Sequence, residues 1–150
     1  MVNTIKQTKN DKKLLRVIDV NLNRSKEGLR VVEDAFRFII EDRILSEKLK
    51  KIRHNLDHII EDRDLIKKLL SSRDTKSDFG KEINNIEMNR KNLFDIIYVN
   101  FQRTKESLRV LEELFKIVDK RKVSTIKKLR YEIYDIEKES FKEISSLYDS

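Results

Sequence analysis

No proline occurs anywhere in this chain of 150 residues, and glycine occurs only twice, at Gly28 and Gly80. An all-β fold needs turn residues at short, regular intervals, and this chain cannot supply them. The composition therefore predicts an all-α fold of long helices with few connections. From Lys12, the positions Leu15, Ile18, Leu22, Leu29, Val32, Phe36 and Ile39 fall at spacings of three and four, with Ser25 filling the one gap. That stripe predicts a long amphipathic helix, closed by Glu41-Asp42-Arg43. A second helix is expected over about 45–70, with Leu45, Leu49, Ile52, Leu56 and Ile59 on its inner face. Two more are expected over about 93–118 and 124–147. Residues 1 to about 11 are polar and expected to fray. The stretch 71–91 lacks periodicity and reads as a long loop with at most a short helical turn. Such a loop inside a compact domain is usually functional or a linker.

The halves repeat. VNLNRSKEGLRVVEDAFRFI (20–39) lies over VNFQRTKESLRVLEELFKIV (99–118) without a gap, and Val, Asn, Arg, Lys, Glu, Leu, Arg, Val, Glu and Phe are identical, ten of twenty positions. Further on, LKKIRHNLDHII (49–60) lies over IKKLRYEIYDIE (126–137). Self-similarity on this scale predicts one domain, 1–150, built as a helical bundle of two tandem hairpins. The hairpins, about 12–70 and 92–148, would be related by an internal pseudo-two-fold.

A chain of this length can bury a real core, although 41% of its residues are charged. The net charge of +7 favours anionic partners: nucleic acid, nucleotides or phosphorylated metabolites. The alternative is simply a Lys-rich or heat-adapted surface. With no cysteine, disulfides, a thiolate nucleophile and Cys-based zinc sites are excluded. No segment has the apolar length of a membrane span or the look of a signal peptide, so a cytoplasmic protein is expected.

A helical wheel then sorts the repeated signature. With Asn21 at zero and about 100° per residue, the apolar arc runs from about 260° through zero to about 120°. Asn21 and Arg24 fall inside it and Glu27 at its rim; Asn100, Arg103 and Glu106 repeat the geometry. A guanidinium in an apolar arc is costly unless an anion or a set of acceptors meets it. Two such arginines near one axis would suit a phosphate, which Arg grips through parallel hydrogen bonds. The competing reading is a buried Arg–Glu–Asn network that only fixes the pairing of the halves. Arg30, Glu33, Arg109 and Glu112 rotate toward the rim and read as a solvated face or i,i+3 ion pairs. Gly28, with Ser107 as its counterpart, implies close helix contact or room for a ligand. Arg53 and Arg130 occupy equivalent places at the edge of the second helix of each hairpin. His54 and His58 lack the further ligands that zinc needs.

The loop RDTKSDFG sets Arg73, Asp74 and Asp78 beside Gly80. Carboxylates four apart can hold Mg²⁺ while an Arg meets phosphate oxygens. They can equally cap a turn leaving a helix. Gly-rich phosphate cradles and kinase catalytic-loop motifs are absent from the sequence, so Arg, Lys and helix termini would have to hold any nucleotide.

NLNRSKEGLRVVEDAFRF, LKKIRHNL, SSRDTKSDFG and NFQRTKESLRVLEE occur in that order between about Arg16 and Glu139. Together they resemble the small hydroxymethylpyrimidine phosphate kinase family, found free-standing and as an N-terminal domain of some bacterial thiamin phosphate synthases. The resemblance implies ATP- and Mg²⁺-dependent phosphorylation of 4-amino-5-hydroxymethyl-2-methylpyrimidine phosphate to the diphosphate, the pyrimidine substrate for thiamin phosphate formation. Phe79 stands where the family has a smaller aliphatic residue. The synthase barrel is missing, which implies a separate synthase as a partner in the same cell; a second copy of the chain is a further admissible partner. On the physical reading of the residues, Arg24, Arg103 and Arg73 would clamp phosphates. Asp74 and Asp78, or Glu27 and Glu106, would carry Mg²⁺. Asn21, Asn100, Gly28, Arg30, Arg53, Arg109 and Arg130 would complete the binding surface.

Three rivals remain. A helical nucleic-acid module would use the positive charge, but Lys and Arg alternate with Glu and Asp instead of forming a single-sign stripe. A protein-binding scaffold would use only the repeat. A helical chorismate mutase is superficially similar at LLRVIDVNLNR, but its pattern has no place for the repeat or the loop.

Overall fold

The computed structural model describes the backbone of residues 2–82 and 88–148 and the side chains of 11–82 and 88–145. Five α-helices and no strand occur among the described residues. Helix α1 (Val2–Asp34) passes through a π-helical turn, Ala35–Ile39, before α2 (Arg43–His58) and α3 (Arg63–Ser72). Helix α4 (Leu93–Val118) and a 3₁₀ turn, Lys120–Lys122, lead into α5 (Val123–Tyr148). No helix among the described residues is long and apolar enough to cross a membrane.

The first helix extends to Val2 instead of fraying before Lys12. The expected helix over about 45–70 is two helices, broken at Ile59–Asp62. Neither Gly nor Pro marks the break. Asp62 starts α3 by accepting the Asp64 N–H at 2.9 Å, and Lys122, from the other hairpin, donates to the Ile59 carbonyl at the end of α2. Asp42 caps α2 through the Leu45 N–H, and Asn92 caps α4 through the Asp95 N–H. Each cap satisfies one of the donors a helix start leaves without a partner. The turn before α2 holds Glu41 at φ 60°, the only positive-φ position among the described residues. The helical turn expected within 71–91 falls partly on 83–87, outside the described residues.

Helix α1 packs on α4, α2 and α3; α4 packs on α5, and α5 on α2, which closes the bundle. Its core holds Ile18, Leu29, Val32, Phe36, Leu49 and Leu56 from the first half, and Ile97, Phe101, Leu108, Leu111, Phe115, Ile126 and Ile133 from the second. At the α1–α4 crossing, a Cβ on Gly28 would come within 2.6 Å of Thr104 Oγ1 and 3.1 Å of the Asn100 carbonyl. Nearby, Ser25 and Ser107 hydroxyls lie 2.6 Å apart. The helices therefore run antiparallel, and contacts are exchanged: Gly28 meets Thr104 while its aligned counterpart Ser107 meets Ser25. Close helix contact, not ligand space, explains Gly28.

Candidate functional site

The signature's polar residues are distributed differently from the expectation. Arg24, Glu27, Arg103 and Glu106 are all exposed, with no ion pair or hydrogen bond among the described residues. Instead Glu33 and Glu112 are buried, at 2% and 3% exposure. The buried arc of α1 is narrower on the Val31 side than its apolar arc. Val31, at its edge, is 38% exposed, and the buried arc runs from Ala35 near 320° through Glu33 near 120° to Asp19 near 160°.

Each buried carboxylate is met from the second helix of its own hairpin. Arg53 donates to Glu33 at 2.7 and 3.3 Å. Arg130 donates to Glu112 at 2.8 Å and to Tyr134 at 2.9 Å. The hydrogen bonds to Glu33 and to Glu112 hold Arg53 and Arg130 above the ordinary guanidinium range, against burial that lowers them. Arg30 and Arg109 form the expected i,i+3 pairs, to Glu33 at 3.7 Å and Glu112 at 3.5 Å. Asn21 is buried and Asn100 half-buried, and each donates to the carbonyl four residues back, Val17 at 2.9 Å and Ile96 at 2.8 Å. The Arg53–Glu33 and Arg130–Glu112 pairs pin each hairpin, while the Asn, Arg30 and Arg109 contacts stay within one helix.

A cleft does form where the loop after α3 folds back on α1. Arg73, at the C-terminal end of α3, grips Asp19 with Nε and Nη2, both at 2.8 Å. Asp19 is only 5% exposed, so this is an anchor, and its hydrogen bond raises the Arg73 pKa. Arg16 donates to the Asp74 carbonyl at 2.7 Å. One hollow of about 380 Å³ is lined by Lys12, Lys13, Arg16, Ser71, Ser72, Arg73 and Asp74. Four cations face one carboxylate there, and that carboxylate is already committed. Asp74 accepts the Ser77 N–H at 3.1 Å, and hydrogen bonds from the Ser77 side chain and backbone hold it below the ordinary carboxylate range. A second hollow, about 280 Å³, also borders Arg73 and Asp19. Its wall is apolar (Leu22, Leu56, Ile60, Ile66, Leu69, Leu70), with Asn23, Lys26 and Asp57 as polar points. Lys26 and Asp57 pair at 3.0 Å. An electropositive lobe beside an apolar lobe with a few polar groups suits a small phosphorylated heterocycle.

Among the described residues, the second hairpin fills the register that the first leaves open. Tyr98 stands in the register of Asp19, and Phe141 of the unbroken α5 packs against it and Phe94, with ring centroids 5.9 and 4.9 Å apart. Gln102 and Lys105, aligned with Asn23 and Lys26, are both taken by Glu137 at 2.9 and 2.7 Å. The break between α2 and α3 makes the cleft; the straight α5 closes its counterpart.

Asp78 accepts the Gly80 N–H at 2.8 Å, so both loop carboxylates serve as turn caps. Among the described residues, no group of three or more His, Cys, Asp or Glu is arranged to hold a metal ion. The described donor set does not fit a resident Mg²⁺. His58 pairs with Glu61, and His54 is exposed. Of the cleft residues, only Arg73 and Asp74 stood out in the sequence. Asp19, Lys12, Lys13, Arg16, Asn23 and Lys26 were missed; Asp19 carried a signal, as a carboxylate near 160° beside the stripe.

The ThiD2 family matches residues 16–139. Thiamine-phosphate synthase of Synechocystis sp. is 38% identical over 125 residues, 83% of this chain and 35% of that protein. That of Rhodopirellula baltica is 38% identical over 122 residues, 81% of this chain and 32% of the relative. That of Thermosynechococcus vestitus is 38% identical over 126 residues, covering 83% and 34%. The chain spans about a third of the length of these curated relatives. No solved structure gives a significant match. With residues 16–139 matched, including Arg16, Asp19, α3 and the loop at Arg73 though not Lys12 and Lys13, this chain belongs to the ThiD2 family.

Proposed function

We propose that this chain is a phosphotransferase of thiamin biosynthesis. It would move the γ-phosphoryl group of ATP onto 4-amino-5-hydroxymethyl-2-methylpyrimidine phosphate. The observation that carries the reading is the cleft at Arg73, with its cationic lobe of Lys12, Lys13, Arg16 and Arg73 beside an apolar one. Family membership supports the substrate class. So does the name of the relatives, since thiamine phosphate formation consumes a pyrimidine diphosphate.

In this reading the pyrimidine ring lies against Leu22, Leu56 and Leu69, and the phosphates lie over the cations. An oxygen of the acceptor phosphate attacks the γ-phosphorus, a new P–O bond forms, and the bond to the β-bridging oxygen breaks to release ADP. The acceptor is a phosphate largely deprotonated at neutral pH, so no strong general base is needed. Positioning and charge neutralisation carry the step. Asp19 holds Arg73 in place, and the remaining N–H donors of Arg73 are free for phosphate oxygens. In this reading Mg²⁺ arrives with the nucleotide, since the described carboxylates do not assemble around one.

The test is ADP release and diphosphate product, read by phosphorus NMR, from the chain with ATP, Mg²⁺ and the pyrimidine monophosphate. Arg73→Lys is expected to lower kcat/KM by about a hundredfold, the loss typical of one preorganised charge donor. Absence of turnover above an Arg73→Ala control that keeps wild-type helicity would sink the reading. The relatives' name favours a second one, in which the chain contributes to thiamine phosphate synthesis itself. Thiamine phosphate formed from pyrimidine diphosphate and thiazole phosphate, without ATP, would support that reading.

A further inference from the structure

The outer surface of the α1–α4 pair carries a second helical stripe that the core does not use. It runs Val17, Val20, Arg24, Glu27, Val31 on α1 and Ile96, Val99, Arg103, Glu106, Val110 on α4, at spacings of three and four in both. This is the spacing of a coiled-coil seam, and a polar pair inside an apolar seam is a known way of fixing register. Val17 and Val31 are 41% and 38% exposed and Ile117, one heptad beyond Val110, is 71% exposed, while Val20, Ile96, Val99 and Val110 are half-buried. The exchanged contacts of Gly28 with Thr104 and Ser107 with Ser25 turn aligned residues of the antiparallel helices to the same side. Both stripes therefore flank one groove.

We propose that a second copy of this chain docks on this face, the α1–α4 pair of each copy lying on that of the other. The charges point to that occupant. The face presents Arg24, Arg103, Glu27 and Glu106, net neutral and without partners among the described residues. In a two-fold contact, residue i meets j while j meets i, so each copy's arginines are set against the other's glutamates. A wholly acidic or wholly basic partner would leave half of these charges opposed by their own sign.

Sedimentation equilibrium of the full chain over a concentration series tests this. The expected mass is twice 18.0 kDa. Reversal of both arginines (Arg24→Glu with Arg103→Glu) sets like charges together and is expected to weaken self-association at least about a hundredfold. Mixing that variant with one carrying Glu27→Arg and Glu106→Arg is expected to restore a dimer, now a heterodimer. All four side chains are exposed, so circular dichroism should report unchanged helicity. A wild-type chain that stays at 18.0 kDa with or without ATP overturns the proposal. So does dimerisation indifferent to the reversals, and so does a monomer whose four charged residues are protected only by ATP, which would assign the face to a ligand.

Discussion

Glu33 and Glu112 show what burial does to a charge in a small bundle. Each lies in the apolar arc of its helix, and each is tolerated because an arginine from the neighbouring helix reaches it. Taking away one partner leaves the other charge in a dry place, which typically costs about 3–5 kcal/mol. Arg130→Ala is expected at the lower end of that range in urea unfolding, since Arg109 still approaches Glu112 at 3.5 Å. Arg121→Ala, which breaks the exposed pair with Asp119, should leave the urea midpoint unchanged. Gly28 is the other position where one atom decides. Alanine is the better helix former by about 1 kcal/mol. Here its Cβ would press on the Asn100 backbone carbonyl as well as on Thr104. Overpacking of that kind typically costs about 1–3 kcal/mol, so Gly28→Ala is expected to lower the thermal midpoint.

Among the elements, α3 has the largest consequence for its size. Ten residues long, it would be marginal alone. Leu69 fixes it to the core, Asp62 caps its start, and Arg73 at its end locks onto α1. Removing the cap with Asp62→Ala is expected to cost about 1 kcal/mol. The loss should be local: hydrogen exchange should accelerate across 63–72, while the amides of α4 and α5 keep wild-type rates. A uniform acceleration would show that α3 unfolds only with the whole bundle. The break that frees α3 from α2 carried one sequence signal, Glu61-Asp62-Arg63, the same tripeptide that closes the first helix at 41–43, but the apolar periodicity ran through it. Ile59 to Asp62 contain neither Gly nor Pro. At the end of α2 the Ile59 carbonyl accepts from the Lys122 ammonium of the other hairpin, and Asp62 then caps α3.

At the scale of the molecule, two hairpins of similar sequence end up with different outer surfaces. The first opens a cationic cleft; the second fills the same register with Phe141, Tyr98 and the Glu137 network. The expectation of a polar centre shared by both halves gives way to one eccentric cleft, so ligand titration of the full chain should saturate at one site per chain. Two equal sites in calorimetry would contradict this placement.

The sequence by itself determined the all-α class, the order of the long helices and the repeated signature, because these follow from local propensity and from periodicity within one helix; it did not divide α2 from α3. It also singled out the one loop, RDTKSDFG, whose Arg73 reaches the cleft. Only the tertiary structure decided which polar residues of the signature are buried. A helical wheel shows how wide an apolar arc is, but not which neighbour covers each part of it. The arc of α1 contains two stripes, a core stripe through Val32 and an outer one through Val31. Read as a single face, they put Arg24 inside and Glu33 outside. The neighbours reverse that assignment: α2 supplies Arg53 to Glu33, and no described element covers Arg24.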